Sequence, residues 1–384
     1  MRLLGLGVLL TLVLTGTPAV AITAPPDAGE ERRATPRLKV TKRVIGLSNP
    51  WDVKPIGNGR LLITERDTAR LIVAGKGGKR VVKFPSRSVW VSGETGLMSL
   101  EVDPRFAKNR RFYTCSGGFL SGGGHDVRVN AWTLNKTLTR ARLVKKLIGG
   151  FPTTTGRHGG CRLLIAKDGS LLVGTGDAAV GTNPRNLSSL GGKTLRLHRF
   201  TGAPWRTNPF VDSSNKRRRY VQTYGHRNIQ GLAQRANGSL WSVEHGSFRD
   251  DEVNLLVKGG DYGWHPVPGY NESVPMTDFD LPGKQYGARW RSGETTLATS
   301  GASFVYGKKW GSLNGALAVA ALKATRIVFL TFDARGKLVR KTVPPILQRY
   351  GRLRSVTRAP NGDLLVTTDT DSGGGSVLRV RPAS

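Results

Sequence analysis

Gly169-Ser-Leu-Leu-Val-Gly-Thr-Gly-Asp177 follows Asp168, opens on a turn glycine, runs through a short apolar stretch and ends on a carboxylate. The design recurs in Gly59-Arg-Leu-Leu-Ile-Thr-Glu65, Gly238-Ser-Leu-Trp-Ser-Val-Glu-His245, Gly315-Ala-Leu-Ala-Val-Ala-Ala-Leu-Lys323 and Gly362-Asp-Leu-Leu-Val-Thr-Thr-Asp369. Asp168-Gly169, Asn237-Gly238, Asn314-Gly315 and Asn361-Gly362 are turn dipeptides that feed a strand. A sixth stretch, Arg110-Arg-Phe-Tyr-Thr-Cys-Ser116, has the strand pattern without the glycine. Long amphipathic helical windows are missing, and the unit recurs at a spacing of roughly 45 to 70 residues, which points to radial repetition of blades that cannot bury both faces alone. Six candidate strands predict an all-β, six-bladed β-propeller. A β-sandwich or β-helix is the competing architecture, and the period is too long for a β-helix coil. In a propeller the polar strand ends Asp177, His245, Lys323 and Asp369 gather at one mouth of the central channel.

Working outward, Arg2 precedes an apolar run from Leu3 to Leu14 and the small residues Ala19-Val-Ala21. That is the pattern of a secretory signal peptide over residues 1–21. A buried N-terminal helix is the other reading, but nothing amphipathic separates the run from the Pro-rich stretch Ala24 to Asp27. The run is too short to span a bilayer, so no transmembrane segment is predicted. Residues 22–36 read as a linker and 37–384 as one propeller domain, secreted or associated with the cell envelope. The two cysteines, Cys115 and Cys161, both fall in the exported part. They form either a disulfide or a pair of free buried thiols.

Lysine and arginine outnumber Asp and Glu by 59 to 26, a formal net charge of +33. The cations are scattered apart from Lys216 to Arg219, and no recognition helix or zinc-ligand spacing accompanies them, so nucleic acid is not the expected partner. A dispersed positive surface outside the cell implies weak attraction to anionic envelope polymers.

Three motifs stand in order: Tyr224-Gly-His-Arg-Asn-Ile-Gln-Gly-Leu-Ala233, Glu244-His-Gly-Ser-Phe-Arg-Asp-Asp-Glu-Val-Asn-Leu255 and Gly259-Gly-Asp-Tyr-Gly-Trp264. Together they resemble the signature of the soluble quinoprotein glucose dehydrogenases and their aldose and sorbosone dehydrogenase relatives, and the resemblance runs from about Leu47 to Val380. It implies an oxidoreductase that uses pyrroloquinoline quinone (PQQ) and Ca2+ to oxidise an aldose sugar to a lactone, passing electrons to an exported acceptor that the sequence does not identify.

By that resemblance His158, in Arg157-His-Gly-Gly-Cys-Arg-Leu163, matches the general base and Asp177 the carboxylate that orients it. A neutral imidazole can take a hydroxyl proton while a carboxylate fixes its tautomer. Outside this context His158 reads as a structural histidine. A triply carboxylated quinone needs cations, and Arg227, Lys323, Arg352 and Arg354 match those positions. Arg227 also matches the residue beside the reactive quinone oxygen, and Asn228 and Thr368 match further cofactor contacts. Each cation has an alternative reading as solvated surface; Lys323 and Arg354 are singled out because they end apolar strands, where a charge needs a partner. Calcium would rest on backbone oxygens of Gly246 and Ser247, with Glu252 and the carbonyl of Tyr262 at a second site and Asp251 close by. Clustered oxygens without Cys or His suit calcium over zinc. Asp250-Asp-Glu252 could instead be a solvated acidic turn.

Departures concern the sugar. Glu94 falls where the glucose enzymes have a glutamine near cofactor and sugar, Ser247 where they have proline, and Arg157 where they have an acidic sugar contact. The segment Thr295 to Ser303 lacks the expected sugar-stacking tryptophan. Glucose is therefore not assumed. Two readings of another class stay open: a non-catalytic carbohydrate-binding propeller of the envelope, and a calcium-dependent lactonase.

Overall fold

In a computed structural model that describes residues 34–383, each quoted stretch becomes the second strand of a four-stranded antiparallel sheet. These strands are Leu61–Glu65, Arg111–Phe119, Ser170–Thr175, Leu240–Glu244, Leu317–Ala321 and Leu364–Thr368. Their partners, the first strands, are Pro50–Pro55, Leu97–Val102, Gly160–Ile165, Ile229–Gln234, Thr299–Phe304 and Leu353–Arg358. First strands of successive sheets pack against one another, and the last returns to the first, so six sheets close about one axis. The fold is the six-bladed β-propeller read from the sequence. The predicted signal peptide and most of the predicted linker lie outside the described residues.

Closure comes from the chain's two ends. The sixth blade takes three strands from the C-terminal side, and its outermost strand, Leu38–Leu47, pairs with Gly375–Pro382 in a register that sets Val40 opposite Val380. Joining the ring by a backbone ladder removes the exposed seam that an open ring of sheets would leave.

The missing turn glycine of the sixth stretch has a local cause. A one-turn helix, Phe106–Asn109, precedes it, and its left-handed cap is Arg110 itself, at φ 50°. The turn conformation is kept and the glycine is not, at a cost of roughly 1 kcal/mol. Between blades the inward residues interlock, as where Trp241, Val243 and Val253 meet Phe304, Val319 and Phe332.

Cys115 and Cys161 are joined as a disulfide, with Cα atoms 5.7 Å apart. Of the two cysteine readings the bonded one holds. The bond ties the second blade to the first strand of the third, three residues beyond His158. A crosslink closing 46 residues is worth about 4 kcal/mol in a chain-entropy account.

All blades share one strand order, so first strands begin, and second strands end, at the same mouth. That placement gathers His158, Asp177, Arg227, His245 and Asp369 from three blades.

Candidate active site

His158 leads into its first strand at φ 53°, a left-handed conformation that an L residue holds only when its surroundings enforce it. Gly176 is part of the enforcement. A Cβ there would lie 1.8 Å from the His158 carbonyl oxygen, so only glycine lets the two strands close. Asp177 follows directly, its backbone N–H donating to Arg227 O at 2.8 Å across the neighbouring blade.

The imidazole is 3% exposed, and its Nδ1 lies 2.8 Å from Asp177 Oδ1. Four donors converge on this carboxylate. Oδ1 also accepts the Ala179 N–H at 2.8 Å, and Oδ2 accepts Trp264 Nε1–H at 2.8 Å and the Tyr270 hydroxyl at 2.7 Å. The Tyr270 oxygen is 3.0 Å from His158 Nδ1 as well. Burial, with Asp177 adding to it, pushes the Tyr270 pKa upward, so the phenol stays a donor. A carboxylate held this way fixes Nδ1 as the protonated nitrogen and leaves the lone pair on Nε2. Among the described residues Nε2 has no hydrogen-bond partner, and it is not one of the sealed polar atoms. The arrangement can accept a proton at one defined atom.

Glu94 reaches the same place: one oxygen accepts the His158 N–H and the Asn228 Nδ2–H, each at 3.2 Å. Asn228 Oδ1 in turn accepts Gly160 N–H at 3.1 Å and Gln230 Nε2–H at 3.0 Å. Arg227 is 3% exposed; it donates to His245 O at 3.3 Å, pairs with Glu272 and lies 5.7 Å from the Trp264 ring centre. Glu272 also pairs with Arg157 at 2.8 Å. Burial alone would raise the Glu272 pKa, but the two guanidiniums outweigh it and hold the carboxyl below its ordinary range.

Across the channel Arg354 pairs with Asp369 at 2.8 Å and donates to Gln230 Oε1 at 3.3 Å. Burial lowers the His245 pKa well below the usual imidazole value, and the charges of Arg354, Arg227 and His158 lower it further.

Other predicted positions differ. Lys323 is exposed, held by its backbone N–H to Leu297 O at 3.0 Å, and its side chain makes no hydrogen bond among the described residues. The burial argument for it fails, because the strand ends at Ala321 and Lys323 sits in the turn beyond. Arg352 is also exposed, 3.7 Å from Asp369. The Thr368 hydroxyl accepts the Ser376 N–H at 2.9 Å within its own blade. Asp251 does not present a free ligand oxygen. Its carboxylate accepts the N–H groups of Gly246, Leu297 and Thr299, at 3.0, 2.6 and 3.3 Å, and so ties loops together.

Glu252 is the better cation candidate. It is buried opposite Glu244 in the strand register, and its contacts are long: Asn254 Nδ2 at 3.3 Å, Thr277 Oγ1 at 3.4 Å and Arg291 at 3.7 Å. Burial and then the Glu244 charge push its pKa up to about 8. Among the described residues no group of three or more His, Cys, Asp or Glu side chains could hold a metal, so backbone oxygens, including that of Tyr262, would have to complete a site. Sequence reasoning gave no role to Trp264, although it ends a quoted motif, and had no signal for Tyr270 or Glu272.

The axial mouth of this propeller thus holds an imidazole–carboxylate pair together with the buried guanidiniums of Arg227 and Arg354. The glucose/sorbosone dehydrogenase profile matches residues 47–379, and the chain belongs to that family. It is 28% identical to an aldose sugar dehydrogenase of Escherichia coli over 349 residues, 88% of this chain and 91% of that one. Among solved structures it resembles the PQQ-bound form of an aldose sugar dehydrogenase from Streptomyces coelicolor, with TM-score 0.74, 25% identity and coverage of 91% and 99% of the two chains. It also resembles the apo form of the soluble aldose sugar dehydrogenase from Escherichia coli, with TM-score 0.78, 26% identity and coverage of 90% and 100%.

Proposed function

We propose that the protein is an exported, PQQ-dependent and calcium-requiring aldose dehydrogenase that oxidises the anomeric carbon of a sugar to a lactone. The observation that carries this reading is the His158–Asp177 pair with its free Nε2, joined through the Asp177 backbone N–H to the carbonyl of Arg227. The site also offers what a polyanionic planar cofactor would use. Arg227 Nε, Arg354 Nε, His245 Nε2, Ser247 Oγ and Asp369 Oδ1 are buried without hydrogen-bond partners among the described residues, an expensive state unless a ligand completes them.

Arg227, Arg354 and Asn228 would hold the quinone, with Lys323 and Arg352 as exposed cations at the rim. When bound, PQQ supplies the two-electron acceptor for the hydride leaving the sugar. His158 Nε2 takes the anomeric hydroxyl proton, and Asp177, held by Trp264, Tyr270 and Ala179, stabilises the imidazolium. Arg227 places fixed positive charge where negative charge develops. Calcium would sit on backbone oxygens near Gly246 and Ser247, with Glu252 and the Tyr262 carbonyl at a second site. An exported acceptor would take up the electrons in such an enzyme.

The test is reconstitution of purified protein with PQQ and calcium, followed by dye reduction across a panel of aldoses. Quinone-dependent turnover lost in His158→Ala is expected. Sugar binding with no turnover would favour a carbohydrate-binding propeller, and lactone hydrolysis without quinone a lactonase.

A further inference from the structure

Behind Asp177 lies a charge that the chemistry above does not use. Lys193 is completely buried, and its ammonium donates to three backbone carbonyls: Asn183 O at 2.7 Å, Gly191 O at 2.7 Å and Pro184 O at 2.9 Å. An ammonium has three donors and no acceptor, and three carbonyls meet them one for one. Asp177 and Asp261 act on it only from a distance, since their own close partners are His158 and Arg185.

The carbonyls belong to the loop that leaves the strand at Asp177 and returns at Lys193. Asn183 Nδ2 donates back to Asp177 O at 2.8 Å, Gly192 N–H to Gly176 O at 2.9 Å, and Thr175 N–H to Lys193 O at 2.9 Å. Pro184 O also accepts the Gly225 N–H at 2.8 Å, which joins the loop to the segment carrying Arg227. Burying an ammonium costs far more than burying a methylene chain of the same length. Its presence here calls for a role that an apolar side chain would not fill.

We propose that Lys193 is a positioning residue for the proton-transfer pair: its ammonium pins the 178–192 loop against Asp177, and its positive charge tempers the pull of that carboxylate on His158. The charged and titratable groups facing the pair are Asp177, Tyr270 and Glu94 around His158, with Arg227 and His245 nearby, and Asp177 and Asp261 around Lys193. Burial brings the Lys193 pKa down to about 7, against the opposing pull of the two aspartates. The Lys193 charge therefore acts on the same carboxylate that holds His158, and the two groups are coupled through Asp177.

The inference uses the reading of His158 as base, but it can be tested without turnover. In cofactor-free protein, imidazole NMR follows His158, one of six histidines, assigned by its loss in His158→Gln. Lys193→Met removes the charge and keeps the stem, and the His158 titration is expected to rise by about one pH unit because Asp177 is no longer opposed. Lys193→Gln, neutral but still a donor, is expected to give the same shift with a smaller loss of kcat, separating charge from pinning. In the loaded enzyme the acid limb of kcat/KM should follow the NMR shift, with kcat falling and the sugar KM nearly unchanged. An unshifted His158 in a folded neutral variant overturns the proposal. If neither variant folds, the parent decides. One lysine amine titrating far below the rest, with the His158 signal responding over the same pH range, supports the coupling, and its absence overturns it. A shifted His158 in a protein with no quinone-dependent activity would leave this inference standing and remove the dehydrogenase reading.

Discussion

The same mouth holds two imidazole–carboxylate pairs, His158 with Asp177 and His226 with Glu244, and they have opposite fates. His226 Nδ1 meets Glu244 Oε1 at 2.9 Å and its Nε2 meets Thr223 Oγ1 at 2.8 Å, while the ring stacks on Tyr262 at 4.5 Å between centroids. Both nitrogens are spent and the residue is fully buried. His158 spends only Nδ1. The carboxylate alone therefore does not make a base; the second nitrogen decides. The buried pair still serves the site. Glu244 also accepts the Arg227 N–H at 2.9 Å, so one carboxylate fixes the His226 ring and the backbone from which Arg227 projects.

The largest expected effect breaks the open pair. His158→Ala should lower quinone-supported kcat by about 10²- to 10⁴-fold, the usual contribution of a positioned base. Its melting temperature should stay near the parent's, because Asp177 keeps its donors from Ala179, Trp264 and Tyr270. A variant with parental turnover in the dye assay would refute the assignment. His226→Ala should show the reverse. It leaves Glu244 buried with one donor fewer, and a denaturant titration should show a loss of about 3 kcal/mol. Activity per folded molecule should stay within about tenfold of the parent's. Equal losses of activity without loss of stability would mean that the two pairs are not distinct in role.

Calcium sharpens the contrast, because the structural side carries the extra carboxylate. Glu252 faces Glu244 through Asn254, whose Oδ1 has no partner among the described residues. Calcium at one hundred times its dissociation constant should stabilise the fold by about 2.7 kcal/mol. A chelator should reverse the rise in melting temperature, and Glu252→Gln should abolish it. Identical melting curves with calcium and with chelator would remove Glu252 as a ligand.

What the sequence revealed and what it hid follow the same physics. The blades were legible because Asn-Gly and Asp-Gly turns are local chemistry, and even the irregular blade kept its turn through Arg110 at positive φ. Asp177 was legible as a strand end that propeller topology brings to the mouth, whereas His158 and Arg227 were legible only through the resemblance their motifs carry. Tyr270 and Glu272 were not, since the stretch between Leu255 and Trp290 has no strand period and they reach His158 and Arg227 across 112 and 45 residues. Lys323 was misread in one respect: ending an apolar strand does not bury a charge when the chain has already turned outward. The backbone donors that the Asp251 oxygens meet were hidden as well, because an acidic cluster says nothing about them.

Tyr270→Phe tests the smallest difference between the pairs. Among the described residues Tyr270 is the one side chain that hydrogen-bonds both members of the open pair, and it is only half-buried, while Trp264 holds the same carboxylate oxygen from the buried side. Removing its hydroxyl leaves Asp177 with three donors, so the carboxylate stays ionised and oriented, but its negative charge is less dispersed. His158 should then hold its proton slightly more tightly, and the acid limb of kcat/KM should move upward by less than in Lys193→Met. A kcat loss of about tenfold, near 1.4 kcal/mol, matches one hydrogen bond to a charged group. A loss as large as that of His158→Ala would instead put the phenol itself in the proton path, and Nε2 would no longer be the atom on which the open pair depends.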